Sequence, residues 1–268
     1  MEIIHDYRDL YLNPTRRVYD QSKQDLTVKE IMSKPIHTIE KTRTTYEVAK
    51  QMTKHEMGCI IVTNKENPEG IITERDILEH IKENHESLKL EKVMSKPLIT
   101  IPIDSSIKDA AKTMIKKKNR LIVTQGETPV GVVTTSDLVK NMPSTPQTRE
   151  YADRYMTTPV ETVPEKTSIK EAASTLDQKR IGSLIVTRND VPIGIFTERD
   201  IIEPIADKTS LSEPINYTEP LLAIPTMTRI LGVAKAMTGR GIRRLPVAEE
   251  TQLIGIITAR DLVEVYSK

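Results

Sequence analysis

The sequence predicts an α+β protein made of four copies of one β-α-β-β-α repeat. A phrase of the form Gly-x-x-Thr-x-x-Asp occurs four times, ending at Asp76, Asp137, Asp200 and Asp261. Successive aspartates are 61, 63 and 61 residues apart, and a repeat that short rarely buries an adequate core alone. The first and third copies share Thr-Glu-Arg-Asp, whereas the second and fourth share Asp-Leu-Val. The duplicated object is therefore a pair of repeats.

Each repeat opens with a short extended segment that contains a proline. The four prolines are Pro35, Pro97, Pro159 and Pro220. Because proline disfavours helix at the residue before it, each segment is expected to lead into a β-strand.

A helix is predicted next, because apolar residues recur at i, i+3, i+4 and i+7, as in Ile107, Ala110, Ala111 and Met114. Ser106 and Ser168 each precede an acidic residue by three positions, at Asp109 and Glu171. This spacing is typical of helix N-caps, in which the side chains satisfy free amide groups.

Two apolar runs separated by turn-forming residues then predict an antiparallel hairpin, as around Asn189 and Asp190. After the second run, Thr-x-x-Asp opens the last helix, with the threonine placed to cap it. The expected segments are an N-terminal tail (1–25) and repeats at 26–83, 88–142, 150–206 and 211–268. Prolines and small polar residues at 141–150 favour a linker between the two pairs, and weaker linkers are expected at 82–91 and 203–214.

Composition limits the function classes. With 39 basic and 38 acidic residues the formal net charge is +1, so no global field favours nucleic acid or membrane. A single cysteine and five scattered histidines predict neither a disulfide framework nor a metal centre. The start has no signal-peptide pattern and no run of 18 apolar residues occurs. We therefore expect a cytoplasmic protein that does not interact with membrane.

The order strand, helix, hairpin and helix, with Gly-x-x-Thr-x-x-Asp before the last helix, closely resembles the CBS domain (cystathionine-β-synthase domain). Two CBS domains form a Bateman module. The resemblance covers residues 26 to 268 and implies two Bateman modules. They could pack as a disc-like intramolecular pseudo-dimer, and a homodimer of chains is the alternative.

An aspartate in the first turn of a helix offers two acceptor oxygens to the vicinal hydroxyls of a ribose. Such charge-assisted hydrogen bonds contribute about 1.5–3 kcal/mol each when shielded from water. The threonine before it caps a helix N-terminus, where phosphate oxygens are favoured. The alternative is that Thr-x-x-Asp only starts a helix.

The resemblance implies that the repeats bind AMP, ADP, ATP or S-adenosylmethionine. The motif residues it points to are Thr73, Asp76, Thr134, Asp137, Thr197, Asp200, Thr258 and Asp261. Thr38, Thr100 and Thr162 would line the base, with Ala223 in that position in the fourth copy. Arg120, Arg243 and Arg244 would reach the phosphates, with Arg75, Arg199 and Arg260 in support. A solvated strand edge is the alternative for these arginines.

No catalytic apparatus is evident in the sequence: no nucleophile stands with a general base and no P-loop occurs. We therefore expect a regulatory protein that is not an enzyme. It would sense energy state through adenine nucleotides and control an unidentified protein or ribonucleoprotein partner in trans. The four-repeat architecture resembles the γ subunit of AMP-activated kinase and its archaeal stand-alone relatives.

The N-terminal tail supports a second hypothesis. Tyr7, Tyr11 and Tyr19 interleave with Arg16 and Arg17, and such residues can stack on unpaired bases and contact phosphate. Some archaeal proteins with several CBS domains resemble ribosome-associated dormancy factors, so the alternative function is binding of ribosomal RNA to silence translation. A tail that packs back onto the repeats is the competing expectation, because acidic residues balance its charge.

Overall fold

The computed structural model describes residues 5–6, 26–81, 87–117, 120–250 and 252–268. The chain forms two compact units, each assembled from alternate repeats. The even unit contains residues up to Ile36 together with Ile99–Val160 and Leu222–Lys268, and so holds repeats 2 and 4. The odd unit contains His37–Leu98 and Glu161–Leu221, and so holds repeats 1 and 3.

Every repeat has the predicted order of elements. Strand β1 (His5–Asp6) and helix α1 (Val28–Ile31) precede repeat 1, which consists of β2 (Thr38–Glu40), α2 (Thr45–Lys54), β3 (Cys59–Asn64), β4 (Asn67–Thr73) and α3 (Glu74–Glu79). Helix α4 (Leu90–Val93) precedes repeat 2, which consists of β5 (Thr100–Pro102), α5 (Ile107–Lys117), β6 (Leu121–Gln125), β7 (Thr128–Val133) and α6 (Thr135–Lys140).

Repeats 3 and 4 follow the same plan. Repeat 3 consists of β8 (Thr162–Pro164), α7 (Ile169–Gln178), β9 (Ser183–Arg188), β10 (Val191–Thr197), a 3₁₀ turn (Glu198–Ile201) and α8 (Ile202–Asp207). Repeat 4 consists of β11 (Leu222–Pro225), α9 (Ile230–Arg240), β12 (Arg244–Glu249), β13 (Gln252–Thr258) and α10 (Ala259–Ser267). The predicted α+β class and the β-α-β-β-α repeat are confirmed.

The third repeat differs where its last helix begins. Residues 198–201 form a 3₁₀ turn instead of the first turn of an α-helix. Pro204 lies four residues after Asp200 and has no amide hydrogen to donate to the Asp200 carbonyl. The α-helical hydrogen bond is therefore absent at that step, and regular α-helix starts only at Ile202.

The sheets share one topology. In each repeat the first strand runs parallel to the second, and the second pairs with the third as an antiparallel hairpin. The repeat-4 sheet has a fourth strand, because β1 pairs in parallel with β11, with His5 opposite Leu222. The N-terminal segment therefore covers one sheet edge at this point.

The segments that lead into the repeats pack on a different repeat from the one they precede. Ser33, ahead of repeat 1, bridges to Val132 of repeat 2, and Ser95, ahead of repeat 2, bridges to Ile71 of repeat 1. Repeats 3 and 4 make the matching exchange through the bridges Thr157 to Ile256 and Thr218 to Ile195. This reciprocal exchange explains why the sequence duplicates pairs of repeats.

The exchange requires the glycine of each motif. A Cβ atom on Gly131 would lie 2.4 Å from Sδ of Met32, and one on Gly255 would lie 2.4 Å from Sδ of Met156. These glycines lie where the crossing segments pass closest to the hairpin. A side chain there would require the methionine of the crossing segment to move, so the motif glycine is a packing residue.

The helices of alternate repeats form the two cores. In the even unit, α10 packs against α5 and α6, and Leu262 and Val263 are fully buried there. In the odd unit, α2 packs against α8, with Val48 and Ala49 fully buried. Sequence periodicity predicted the apolar face of the first helix in each repeat, whereas the packing of the last helices and the pairing of repeat 1 with 3 and of 2 with 4 come from the structure.

Residues 141–150, expected to form a linker, pack into the even unit. Gln147–Arg149 form a 3₁₀ turn in which Thr148 is fully buried. Its hydroxyl donates to the Pro143 carbonyl at 3.1 Å and accepts from the Thr145 amide at 2.8 Å.

Among the described residues, none of the helices has the length and apolar character needed to span a membrane.

Candidate functional site

The four Thr-x-x-Asp motifs form the same local structure. Each aspartate is the third residue after its capping threonine, and its Oδ2 accepts both the amide and the hydroxyl of that threonine. In repeat 4 both distances are 2.7 Å. One carboxylate oxygen is therefore used by the cap in every repeat, and any ligand hydroxyl depends mainly on Oδ1.

The second carboxylate oxygen distinguishes the repeats. Oδ1 of Asp76 accepts the Ser95 hydroxyl at 2.6 Å, whereas Oδ1 of Asp137 accepts the Ser33 hydroxyl at 3.2 Å. Oδ1 of Asp261 has no hydrogen-bond donor among the described residues, although Thr157 lies in the corresponding crossing segment. Four motifs that look equivalent in sequence are therefore unequal in structure.

Exposure follows the same division. Asp76 is 8% exposed and Thr73 is 6% exposed, so the first motif is buried. Asp137, Asp200 and Asp261 are all half-buried. In the first motif the Ser95 hydroxyl also donates to this buried carboxylate.

Burial raises the pKa of the Asp261 carboxyl above the ordinary aspartate value. The hydrogen bonds from Thr258 and the charge of Arg260 act in the opposite direction, and the charge of Glu264 adds to the rise. This carboxylate therefore loses part of its hydration without full compensation. It is a better acceptor for incoming hydroxyls than one that is already saturated.

The raised pKa predicts a pH dependence. Because the folded-state pKa exceeds that of the unfolded chain, the folded protein binds more protons, and stability falls as pH rises through the window between the two values. Asp261→Asn removes this ionisation, so its stability relative to wild type should improve as pH rises through that window. Denaturant melts at several pH values, with ¹³C NMR titration of the Asp261 carboxyl, measure this. A carboxyl that titrates at or below the ordinary aspartate value contradicts the prediction.

The arginines beside the odd motifs lie at a repeat interface. Arg75 pairs with Glu198 at 2.6 Å and donates to the carbonyl oxygens of Leu176 at 3.2 Å and Ile181 at 2.6 Å, all in repeat 3. Arg199 donates to the Glu56 carbonyl of repeat 1 at 3.4 Å. The structure thus places the supporting residue Arg75 against protein, while Arg199 and Arg260 are exposed.

The charge at the start of the hairpin differs between repeats. The backbone carbonyl of Gly58 accepts a hydrogen bond from the Glu74 amide. Arg243 occupies the same position in repeat 4, where its backbone carbonyl accepts from the Ala259 amide at 2.7 Å. A Cβ atom on Gly58 would lie 3.0 Å from the Glu74 carboxylate. At this position, repeat 1 therefore has a glycine beside the Glu74 carboxylate, whereas repeat 4 has the guanidinium side chain of Arg243. Arg244 lies directly opposite Thr258 across the hairpin.

The remaining predicted residues occupy separate positions. Thr38, Thr100 and Thr162 lie on the first strands of their sheets and are exposed. Ala223, in the fourth copy, is 2% exposed and pairs with Asp6 of β1. Arg120 is half-buried immediately before β6. The tail residues Tyr7, Tyr11, Arg16, Arg17 and Tyr19 lie outside the described residues.

Sequence reasoning missed Ser33 and Ser95, which contact the motif aspartates. The repeated Met-Ser-Lys-Pro at 32–35 and 94–97 was the available signal. It did not reveal that each serine reaches the aspartate of the neighbouring repeat in the pair.

In the part of the chain that the structure describes, no cluster of three or more potential metal ligands occurs.

A family model decides the classification. The model of the CBS domain matches residues 28–83, 90–144, 152–207 and 215–268. The chain belongs to the CBS-domain family. The four matched ranges coincide with the four repeats and their leading segments, so the resemblance inferred from the motifs is confirmed. CBS domains are generally regulatory and not catalytic.

Known relatives agree with this assignment. The uncharacterised protein MJ1225 of Methanocaldococcus jannaschii is 31% identical over 191 residues, covering 63% of this chain and 68% of that protein. Its crystal structure, described as that of a candidate archaeal homologue of γ-AMPK, aligns with a TM-score of 0.76 at 20% identity, over 90% of this chain and all of that one. An uncharacterised Pyrococcus horikoshii protein aligns with a TM-score of 0.62 at 23% identity, over the same shares. These structures show a shared four-repeat fold.

Proposed function

We propose that this protein binds adenine nucleotides through the aspartates of its Thr-x-x-Asp motifs and thereby regulates a partner in trans. The observation that carries the proposal is the geometry of the carboxylates. Each is held by its own threonine through Oδ2, which fixes the side chain, and in Asp261 this leaves Oδ1 as the acceptor for a ribose diol. A preorganised acceptor binds without the cost of ordering it.

Basic side chains support a phosphorylated ligand in the even unit. Arg243 directly precedes β12 and Arg244 is its first residue, where it lies opposite the capping Thr258. Arg120 holds the equivalent position in repeat 2, beside β6. Guanidinium groups pair with phosphate oxygens in charge-assisted hydrogen bonds. The ligand classes we favour are AMP, ADP and ATP, with S-adenosylmethionine as the further candidate.

Thermal unfolding with each ligand tests this function. A nucleotide at 100 times its Kd should stabilise the protein by roughly 2.7 kcal/mol. AMP should stabilise more than 2′-deoxy-AMP, because the deoxy compound cannot donate the second hydrogen bond of the diol. No stabilisation by any adenine nucleotide, or equal stabilisation by AMP and 2′-deoxy-AMP, would contradict the proposed role of the carboxylates.

Regulation requires that nucleotide binding favour one arrangement of the protein over another. The ligand can shift that equilibrium only by its difference in affinity for the two arrangements, typically about 1–3 kcal/mol. Nucleotide binding would then change the surface with which this protein binds its protein or ribonucleoprotein partner. When a cell lysate is passed over the immobilised full chain, we expect the set of retained proteins to change when adenine nucleotide is added.

Binding of ribosomal RNA by the tail stays a prediction from the sequence. All five residues that would stack on bases or contact phosphate fall outside the described residues. Salt-sensitive co-sedimentation with ribosomes that is lost when Arg16 and Arg17 are replaced would support it. Nucleotide sensing and translation silencing are compatible functions.

A further inference from the structure

We infer that the four motifs divide into two classes: those of repeats 2 and 4 bind nucleotide, whereas those of repeats 1 and 3 hold the odd unit together. This inference rests on the proposed function and assigns its sites. It predicts two nucleotides per chain, although the sequence presents four motifs of the same form.

Both carboxylate oxygens of the first motif already accept hydrogen bonds. Oδ2 of Asp76 accepts the Thr73 amide at 2.8 Å and its hydroxyl at 2.5 Å, and Oδ1 accepts the Ser95 hydroxyl at 2.6 Å. Only 8% of Asp76 is exposed, which disfavours contact with a ribose hydroxyl. These are the contacts of a satisfied structural carboxylate.

The residues around both odd motifs join repeat 1 to repeat 3. Arg75, the residue before Asp76, pairs with Glu198, whose 3₁₀ turn also contains Asp200. Helix α3 packs against that turn and against α7. Arg180 of repeat 3 forms a second ion pair with Glu79, at the other end of α3. A ligand that displaced either motif would have to disturb this joint.

Helices α6 and α10 of the even repeats also pack together, but among the described residues no ion pair joins the first turns of the even motifs. The residues after the capping threonines are Thr135 and Ala259, which are uncharged, where the odd repeats carry Glu74 and Glu198. Oδ1 of Asp137 has one longer contact, at 3.2 Å to Ser33, and that contact is exposed. Oδ1 of Asp261 has no donor among the described residues. Both carboxylates can therefore accept ribose hydroxyls.

The nearby charges favour the same division. Arg120, Arg243 and Arg244 stand at the hairpin starts of the even repeats, where the odd repeats have Gly58 and Gly182 followed by uncharged residues. A buried carboxylate such as Glu74, which is 3% exposed, opposes a phosphate placed beside it. Phosphorylated ligands are thus favoured in repeats 2 and 4 only.

Isothermal titration calorimetry of the full chain with AMP tests the division. Each aspartate is replaced singly by asparagine, which keeps an oxygen to accept from the capping threonine and so preserves the helix cap. Wild type should bind two equivalents of AMP. Asp137→Asn and Asp261→Asn should each lose one equivalent, and the double variant should not bind.

Asp76→Asn and Asp200→Asn are the matched controls. Both should retain two equivalents, and Asp76→Asn should lower the Tm because its contact with Ser95 is weakened. Four equivalents for wild type, or loss of an equivalent in a folded Asp76→Asn or Asp200→Asn variant, would overturn the division while leaving the proposed function intact. Absence of AMP binding to wild type, with ADP and ATP also silent, would instead contradict the proposed function itself.

Discussion

Gly194→Ala is expected to destabilise the protein by about 1–3 kcal/mol or more, the usual cost of overpacking a tightly packed site. A Cβ atom at this position would lie 2.5 Å from the Tyr217 ring and 2.7 Å from the Thr218 carbonyl oxygen. The second neighbour is backbone and cannot rotate away. The crossing segment must therefore shift, and the bridge between Ile195 and Thr218 is strained or broken. Denaturant unfolding of the two proteins measures the difference.

Gly239→Ala provides the matched control. Gly239 lies within α9, and an added Cβ would meet no atom within 4 Å. Alanine is favoured over glycine in a helix by roughly 0.5–1 kcal/mol, so this variant should be slightly more stable than wild type. Similar effects of the two substitutions would show that the crossing segments do not pack on the motif glycines.

Arg75→Ala is expected to cost about 2–3 kcal/mol, somewhat below the 3–5 kcal/mol typical of breaking a fully buried ion pair. The Arg75 and Glu198 side chains are 26% and 13% exposed, so solvent screens the pair only in part. The substitution also removes the donors to the carbonyl oxygens of Leu176 and Ile181. Hydrogen exchange should show the loss of protection concentrated in repeats 1 and 3.

Arg260→Ala is the control for that experiment, because Arg260 holds the equivalent position in repeat 4 and is exposed. Substitutions at such surface positions usually change stability by about 0.5 kcal/mol or less. If Arg75→Ala were as mild as Arg260→Ala, the interface between repeats 1 and 3 would not depend on the motif arginine.

The sequence was sufficient to predict the repeat and its local structure. Periodicity placed the amphipathic helices, and Ser168 caps α7 with Glu171 as predicted, accepting the Glu171 amide at 3.2 Å. The Thr-x-x-Asp turns start the last helix of each repeat, with the interruption by Pro204 in repeat 3. These features depend on neighbours within a few residues, and local patterns carry that information.

The differences between the four sites could not be predicted from the sequence. Ser95 reaches Asp76, and Arg75 reaches Glu198, across separations of 19 and 123 residues. Such contacts follow from which repeats pack together, and four similar apolar faces allow several pairings. The four motifs are therefore alike in sequence, whereas long-range contacts make their environments unequal.

A crystal structure of the full chain grown with AMP tests the central claim most directly. We expect the ribose hydroxyls within hydrogen-bond distance of the Asp137 and Asp261 carboxylates, with Oδ2 of each still held by its threonine. Nucleotide density that contacts neither carboxylate, or a saturated crystal without nucleotide at either position, would contradict the account.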